Sequence, residues 1–392
     1  MQIKLDLRNF HHEEFLTNNW QKKPLFIQGA ISPTELEIDQ NLIAGLACEP
    51  EVDSRLIFNS NNDRNILIED GPFTEERFTK LGTDNWSLMV QKADLWLEQI
   101  HNIRNYFHFL PFWQFDDIMA SYGTDKSSSG PHIDNYDVFI LQVQGQKNWL
   151  IERDSRPLIS LEEKDFIPNL DVRIVKDFLD HQQFLLNPGD LLYIPAGYAH
   201  WGISQGESLS YSVGYRTPSI KEVAKNYLYQ MIEKIDDDHF FQPTVKQRNM
   251  GEIPTALAND LQEQWPNFLP ELDQSIINRF AEIVSSAGLE TINPDPSEYQ
   301  HLDIHQTLKT NLLIKAPGTK CFYLNSKESI ELYADGNKYT LSAEQLPLAK
   351  LLCDNLEIDC AAMIPYMNNS QNISLIRKLL STSSLEIMSE QS

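Results

Sequence analysis

Two histidines and an aspartate are spaced so that they could form one metal site. His132 and Asp134 are separated by a single residue, and on an extended strand residues i and i+2 point to the same face. His200 lies 68 residues further along, after a Pro-Gly-Asp turn at 188–190 and a Pro-x-Gly turn at 195–197. A chain that forms antiparallel hairpins can bring His200 back beside the His-x-Asp strand.

Together these three side chains make a donor set with a defined chemical use. Two imidazoles and one carboxylate on one face of an octahedral ion leave three positions open, as in the non-haem Fe(II) oxygenases. A structural zinc site uses four protein ligands instead. The sequence therefore predicts an iron site with room for a co-substrate and oxygen. The alternative, that both histidines are structural and satisfied by hydrogen bonds, stays open at this point.

The elements that must position these residues have the pattern of a β domain. Over residues 131–216, short apolar runs alternate with Gly, Pro and Asn, as successive strands of a barrel or sandwich do. The run 138–143 is almost continuously apolar, which is typical of a strand buried on both faces. Residues 1–130 are mixed. Their pattern predicts strands over 1–8, 23–27 and 85–90, a short helix from position 11 and an amphipathic helix over 95–100.

Three motifs around the expected ligands resemble a known family. They are Gly130-Pro131-His132-x-Asp134, Gln142-x-x-Gly145-x-x-x-Trp149 and Pro188-Gly189-Asp190-x-x-Tyr193-Ile194-Pro195-x-Gly197-x-x-His200. This pattern resembles the JmjC-type cupin oxygenases and, within them, the bacterial ribosomal oxygenases that hydroxylate an arginine of a large-subunit ribosomal protein. The detailed resemblance covers residues 15–220. It implies a mainly β catalytic domain, a double-stranded β-helix with added helices.

The resemblance also implies roles for individual residues. His132, Asp134 and His200 would bind Fe(II), with 2-oxoglutarate and O2 as co-substrates. Lys147 would hold the distal carboxylate of 2-oxoglutarate, at a position where bacterial relatives carry Arg and eukaryotic relatives carry Lys. The ammonium of a lysine is a point charge, whereas the guanidinium of an arginine is planar and can bind a carboxylate through two parallel hydrogen bonds. Ser121 corresponds to a further position that hydrogen-bonds the co-substrate.

The expected substrate likewise comes from the resemblance. Tyr136 and Asp137 directly follow the three ligands and would contact a cationic side chain, with an arginine of a basic ribosomal protein as the leading substrate. Two alternatives stay open. One is a JmjC oxygenase that acts on a ribosomal-protein histidine, a methylated lysine or a small molecule. The other is a metal-binding cupin without turnover that works as a scaffold or regulator.

Beyond the catalytic domain, which we place at 1–220, the apolar period becomes helical. Val223, Tyr227 and Met231 are four residues apart, so we expect a helical region over 221–292. The order of parts in the family implies that this region forms a homodimer. A linker containing Asn and Pro precedes an α+β domain over 293–392. There, strands at 329–333 and 338–341 flank an Asp-Gly turn, and the mixture of helices and hairpin resembles a winged-helix domain.

Composition narrows the classes of partner. The formal net charge is −24, and the first 220 residues carry 18 basic and 32 acidic side chains. No segment is basic, so DNA binding lacks electrostatic support, whereas a basic polypeptide would be attracted. The four cysteines are scattered and contain no C-x-x-C pair, which favours reduced thiols in the cytoplasm. No leader-like or membrane-spanning apolar run is expected, so we predict a cytoplasmic protein without membrane contact.

Overall fold

The computed structural model describes residues 5–36, 38–59, 66–168, 173–233, 240, 242, 244, 257–264, 275–286, 297–325, 329–355 and 358–389. The chain divides into two units, Met1–Thr217 and Pro218–Ser392. The expected division of the second unit into a helical region and a winged-helix-like domain stays a prediction. Its boundary at 292/293 lies outside the described residues.

The first unit is built around one antiparallel sheet of nine strands. The strands are β1 Leu25–Ile27, β2 Ser54–Asn59, β3 Ile66–Asp70, β4 Trp86–Val90, β5 Phe115–Gly123, β6 Asp137–Glu152, β7 His181–Leu186, β8 Leu191–Ile194 and β9 His200–Tyr215. Their order in the sheet is β1-β8-β6-β9-β5-β4-β2-β3, with β7 paired to β6. The two longest strands, β6 and β9, each have 16 residues and pair along most of their length.

Four short helices precede the long strands. They are α1 His12–Asn18, α2 Gln40–Leu46, α3 Glu75–Thr79 and α4 Glu98–His101. The expected helix over 95–100 is replaced by α4 and two 3-10 turns, Ala93–Leu95 and Asn102–Phe107. Leu97 has an extended backbone at the start of α4, which divides the amphipathic segment into separate turns. The expected N-terminal strand also fails over 5–8, where no strand forms, and residues 1–4 lie outside the described residues.

Strand β6 shows why the central sheet is stable. Its first seven residues are all buried, because alternate side chains enter two different apolar clusters. Phe139 and Leu141 pack in the cluster that contains the N-terminal helices, whereas Val138 and Ile140 pack against Leu192 and its neighbours. The prediction of a strand covered on both faces is therefore confirmed. Burial of apolar area on both faces is the main stabilising contribution to such a strand.

The second unit contains the remaining elements. Its helices are α5 Ile220–Ile232, α6 Leu257–Gln264, α7 Ser275–Ser285, α8 Ser297–Gln300, α9 Ile304–Thr310, α10 Leu346–Cys353, α11 Cys360–Met363 and α12 Ser370–Ser381. Its strands are β10 Asn311–Lys315, β11 Cys321–Asn325, β12 Ile330–Ala334, β13 Asn337–Leu341 and β14 Leu385–Ser389. The hairpin expected around Asp335 and Gly336 is present as β12 and β13. Both turn residues have positive φ, of 48° and 77°, as a tight two-residue hairpin turn requires.

All four cysteines are free, and the Sγ atoms of Cys321 and Cys353 lie 3.3 Å apart in the core of the second unit. Within the part of the chain that the structure describes, no helix is long and apolar enough to cross a membrane. A mainly β domain followed by helices and an α+β portion is the fold class that the sequence predicted.

Candidate active site

His132, Asp134 and His200 lie together, and one ligand atom of each lies within 4.8 Å of the others. The Nε2 atom of His200 is 3.5 Å from Oδ2 of Asp134, and the two imidazole ring centres are 4.2 Å apart. The main chain fixes this approach. The amide of His132 donates to the carbonyl of His200 at 3.0 Å, and the amide of His200 donates to the carbonyl of His132 at 2.9 Å.

The position of His132 and Asp134 differs from the expectation in one respect. They precede β6, and His132 joins the sheet only through single bridges to His200 and Ile174. The carbonyl of Asp134 accepts a hydrogen bond from the amide of Gly197 at 3.0 Å, so the turn before β9 engages this backbone group. The i and i+2 side chains still converge, but a loop held by that turn positions them instead of a continuous strand.

A glycine is required in that turn. Gly197 has φ of +84°, where L side chains are strained, and a Cβ there would lie 2.8 Å from the carbonyl oxygen of Arg156. The turn leads directly into β9, whose first residue is His200. The Pro-x-Gly motif thus presents the second histidine, as the sequence predicted.

Both histidines are oriented by the nitrogen that faces away from the cluster. Nδ1 of His132 is 2.9 Å from the carbonyl of Gly130, and Nδ1 of His200 is 2.9 Å from the carbonyl of Tyr198. A carbonyl only accepts hydrogen bonds, so each Nδ1 carries the proton and each Nε2 keeps its lone pair. Burial lowers the pKa of His200 to about 4, helped by His132 and opposed by Asp134. His200 is therefore neutral at pH 7, the form that binds metal ions.

Lys147 lies inside the same domain, on β6, and is only 7% exposed. Its Nζ lies 5.2 Å from the centre of the Trp149 ring. Burial lowers the pKa of Lys147 to about 8, and among the described residues no carboxylate pairs with it. A buried ammonium without a counter-ion is costly, so this site fits an anionic ligand.

Trp149 and Gly202 were not identified from the sequence as parts of this site. Trp149 lies two residues after Lys147 on β6 and its ring centre is 5.8 Å from that of His200. Gly202 is paired with Trp149 across the strands, and a Cβ on it would lie 2.9 Å from Cε of Lys147. The strand period of two would have identified Trp149, because residues i and i+2 share a face. The need for glycine at 202 depends on a non-local pairing.

Ten buried side-chain polar atoms of the described residues have no hydrogen-bond partner, and Oγ of Ser121 and Nε1 of Trp149 are two of them. Ser121 lies on β5, is 3% exposed and pairs across the strands with Ser210. Buried polar groups are normally satisfied, so these two atoms fit a polar ligand. An oxygen-rich molecule such as a dicarboxylate would suit the indole N–H, which can only donate.

The two expected substrate residues have different surroundings. Burial raises the pKa of the Tyr136 hydroxyl, followed in importance by the charges of Asp134, Asp117 and Asp116. Asp137 is 6% exposed and accepts a hydrogen bond of 2.5 Å from the hydroxyl of Tyr193. Its contacts are thus those of a buried structural carboxylate, and its substrate role stays an untested prediction.

Asp116 and Asp117, on β5, add negative charge near Tyr136. Burial, and after it the charges of Asp116 and Asp94, raise the pKa of Asp117 to about 7. The amide of Lys92 donates to Asp117 at 3.1 Å, and a Cβ on Gly214 would lie 3.3 Å from Oδ1 of Asp117. Both carboxyl groups act on the pKa of Tyr136, which lies two residues after the expected ligand Asp134.

Fold and donor set define this protein as a JmjC-domain protein, and the comparisons with known proteins agree. The family model described as "JmjC domain" matches residues 102–223, and that described as "ROXA-like winged helix" matches residues 261–386. The second match begins inside the region expected to be the helical dimerisation segment.

Two relatives of similar length show to which family of JmjC-domain proteins the chain belongs. The chain is 31% identical over 355 residues to a ribosomal protein uL16 3-hydroxylase of Escherichia coli, covering 88% of this chain and 89% of the relative. It is 27% identical over 380 residues to a probable ribosomal oxygenase of Haemophilus influenzae, with 92% and 90% coverage. The chain belongs to the ribosomal oxygenase family.

Solved structures give the same result. A structure of the Escherichia coli ribosomal oxygenase matches with a TM-score of 0.77 and 27% identity, covering 98% of this chain and all of that one. Another, in complex with cobalt and 2-oxoglutarate, matches with a TM-score of 0.75 and 26% identity, covering 97% and 99%. The predicted family and the predicted cupin-type fold are confirmed.

Proposed function

We propose that this chain is an Fe(II)- and 2-oxoglutarate-dependent oxygenase that hydroxylates an arginine of the large-subunit ribosomal protein uL16. The observation that carries the proposal is the convergence of His132, Asp134 and His200, with both Nε2 atoms left free to bind a metal ion. The Escherichia coli relative is named for hydroxylation of uL16, which supports the choice of substrate.

Donor chemistry favours iron at this site. Two neutral imidazoles and one carboxylate are a donor set that Fe(II) accepts, and three ligands leave coordination positions for co-substrate and oxygen. When bound, Fe(II) would supply the redox chemistry by which O2 gives one oxygen atom to 2-oxoglutarate, which becomes succinate and CO2, and the other to a substrate C–H bond, which becomes C–OH. The protein holds the donors in place through the carbonyls of Gly130 and Tyr198, which orient the two rings.

Lys147, Trp149 and Ser121 are the residues we assign to 2-oxoglutarate. The ammonium of Lys147 offers the positive charge that a carboxylate needs, in a place where no other described residue neutralises it. The unpartnered indole N–H of Trp149 and hydroxyl of Ser121 supply hydrogen bonds from the same interior. The cobalt and 2-oxoglutarate complex of the Escherichia coli protein supports 2-oxoglutarate as the co-substrate.

The preference for arginine follows from charge. The charges of Asp134, Asp117 and Asp116 raise the pKa of the Tyr136 hydroxyl and that of Arg216 lowers it, so two carboxyl groups of β5 act on this phenol besides the expected metal ligand Asp134. A guanidinium is always protonated, is weakly hydrated and stacks on aromatic rings, so it suits a pocket of this composition. A histidine, which is neutral for much of the time at pH 7, would gain less from the same carboxylates.

Mass spectrometry of ribosomal proteins tests this proposal. Purified ribosomes from cells that lack the gene, treated with the enzyme, Fe(II) and 2-oxoglutarate, are expected to gain one oxygen atom on an arginine of uL16. His132→Ala and Asp134→Ala are expected to abolish both this gain and the coupled formation of succinate. An oxygen on a histidine or another protein would refute the arginine assignment. Iron binding with no oxygen-dependent loss of 2-oxoglutarate would support the scaffold alternative.

We further propose that the chain forms a homodimer in the cytoplasm and does not bind DNA. α5 carries exposed apolar residues on its surface, with Leu228, Tyr229 and Ile232 exposed by 46%, 61% and 58%. Exposed apolar residues grouped on one helix are typical of a protein interface. The net charge of −24 favours a basic protein partner over DNA.

A further inference from the structure

A second group of metal-binding side chains lies in the first unit, outside the proposed active site. Asp6, His12 and His108 each place one ligand atom within 4.8 Å of the others. Within the described residues only this group and the proposed iron ligands bring three such donors so close together. We propose that Asp6, His12 and His108 form a site for a divalent transition-metal ion of the zinc type.

The three donors come from separate parts of the chain. Asp6 precedes α1, His12 is the first residue of α1, and His108 follows the 3-10 turn Asn102–Phe107. Nε2 of His108 is 3.3 Å from Oδ1 of Asp6, across 102 positions of sequence. This spacing matches that of neighbouring ligands on one ion, since metal–ligand bonds to imidazole and carboxylate are about 2.0–2.2 Å long.

Aromatic packing holds the two imidazoles in place. The His12 ring is stacked on Phe109, with ring centres 4.4 Å apart and an interplanar angle of 13°. The His108 ring meets His12 edge-on, with centres 5.4 Å apart and an angle of 87°. Phe10 lies against both His12 and Phe109, at 5.3 and 5.1 Å. The rings therefore lose little conformational freedom when an ion binds, which favours binding.

An ion pair between Asp6 and His108 is the simpler account, but it leaves His12 unexplained. The side chain of Asp6 is 79% exposed, so such a pair contributes little to stability. A cation shared by the three donors gives each imidazole lone pair a partner and neutralises the carboxylate. Two nitrogens and one oxygen favour zinc-type ions over Mg²⁺ or Ca²⁺, and water completes a tetrahedral coordination sphere.

The ion would fasten the N-terminal segment to the segment around residue 108. Leu7 and Phe15, on either side of His12, are buried in the main apolar cluster of the first unit. An ion that binds only the folded form stabilises it. Zinc is therefore expected to raise the melting temperature of the protein through this site.

The number of zinc ions per chain, measured by inductively coupled plasma mass spectrometry, tests the proposal. The sample is full-length protein without a histidine tag, brought to equilibrium with zinc by dialysis. Wild type is expected to hold two zinc ions per chain, one at each group of donors. His12→Ala, His108→Ala and Asp6→Asn are each expected to hold one zinc ion. Because Asp6 is exposed, Asp6→Asn is expected to fold like wild type, so its loss of an ion reports on the site itself. His11→Ala removes an exposed neighbouring imidazole and is the matched control, so it is expected to keep two.

The two sites are separated by one more variant. His132→Ala is expected to lose the ion at the proposed active site and to keep the one held by His12. Crystals soaked in zinc are expected to give an anomalous peak between Asp6, His12 and His108. The proposal is overturned if His12→Ala, His108→Ala and Asp6→Asn all keep the wild-type count. It is equally overturned if His11→Ala loses an ion, or if His132→Ala retains none.

Discussion

The ammonium of Lys147 lies 5.2 Å from the centre of the Trp149 ring, and that ring lies 5.8 Å from the ring of His200. The indole thus lies close both to the buried positive charge and to one of the proposed metal ligands. Trp149 also has an unpartnered N–H, so the lysine and the tryptophan together make a donor-rich surface inside the domain.

Removal of the charge at position 147 is expected to weaken 2-oxoglutarate binding. Lys147→Met keeps the length of the side chain but loses the ammonium, and hydrogen bonds to charged groups contribute about 1.5–3 kcal/mol, or roughly 10- to 100-fold in affinity. Calorimetric titration of 2-oxoglutarate measures the change. Lys164→Met, at an exposed lysine, serves as the control and is expected to bind like wild type. Unchanged affinity in Lys147→Met would remove this residue from the co-substrate site.

The affinity for 2-oxoglutarate is also expected to depend on pH. Burial lowers the pKa of Lys147 to about 8, so the ammonium is present below that pH and is lost as the pH rises through it. Affinity is therefore expected to be constant below pH 8 and to fall by up to about tenfold per pH unit above it. Lys147→Arg keeps its charge in this range and corrects for effects of pH on the metal. Parallel profiles for wild type and Lys147→Arg would contradict the prediction.

Gly202→Ala is expected to raise the dissociation constant of 2-oxoglutarate by about tenfold. The added methyl group would lie 2.9 Å from Cε of Lys147 and from two ring carbons of Trp149, and a closely packed interior cannot absorb that overlap without moving them. Gly82→Ala is the matched control, because a Cβ there has no atom within 4 Å. Circular dichroism shows whether both variants fold. An affinity equal to that of Gly82→Ala would mean that the displacement is harmless.

The ion pair between Arg156 and Glu152 is expected to stabilise the end of β6. Glu152 is 2% exposed, accepts from the Leu179 amide at 2.7 Å, and its own amide donates to Ala199. Arg156→Met would leave a buried carboxylate without its partner, at a cost of about 3 kcal/mol in the free energy of unfolding.

Urea unfolding of Arg156→Met measures that loss, and Arg153→Met gives the comparison. Arg153 pairs with Asp180 at the surface, with exposures of 57% and 83%, so its loss is expected to cost less than about 1 kcal/mol. Equal losses in the two variants would show that burial of Glu152 does not matter.

Dimer formation is expected to depend on α5. Replacement of the exposed Leu228 and Ile232 by aspartate would place charges within the proposed interface, and a like-charge contact there disfavours association. Light scattering is expected to give twice the chain mass of 45.2 kDa for wild type and the single mass for the variant. Exposed Ile159, in the other unit, gives the control substitution, Ile159→Asp. A monomeric wild type would contradict the proposal.

Local sequence patterns predicted the elements whose conformation depends on near neighbours. The hairpin at Asp335 and Gly336, the strand Trp86–Val90 and the turn before His200 all follow from turn chemistry and period. The loop that carries His132 and Asp134 was predicted as a strand. No local sequence pattern shows that the amide of Gly197 donates a hydrogen bond to the carbonyl of Asp134.

The sequence predicted only part of the set of residues that we assign to 2-oxoglutarate. Lys147 was named through the family resemblance, but the contribution of Trp149 and the requirement for Gly202 depend on the pairing of β6 with β9. These pairings join residues 49 to 78 positions apart. The sequence period specifies which face of the sheet a side chain occupies, but not which residue of the distant strand it pairs with. The negative surroundings of Tyr136 are likewise assembled from β5 and from the loop before β6.

The paired amide–carbonyl hydrogen bonds between His132 and His200 hold the two segments together through the main chain, whereas the proposed chemistry uses the side chains. Because main-chain atoms make them, these hydrogen bonds do not depend on the imidazole side chains, and a smaller residue such as alanine at either position keeps them. A single substitution could therefore silence the oxygenase while leaving a correctly folded partner for its target. Few mutations therefore separate an active oxygenase of this fold from an inactive binding protein. Such a protein would keep the fold of the enzyme from which it evolved.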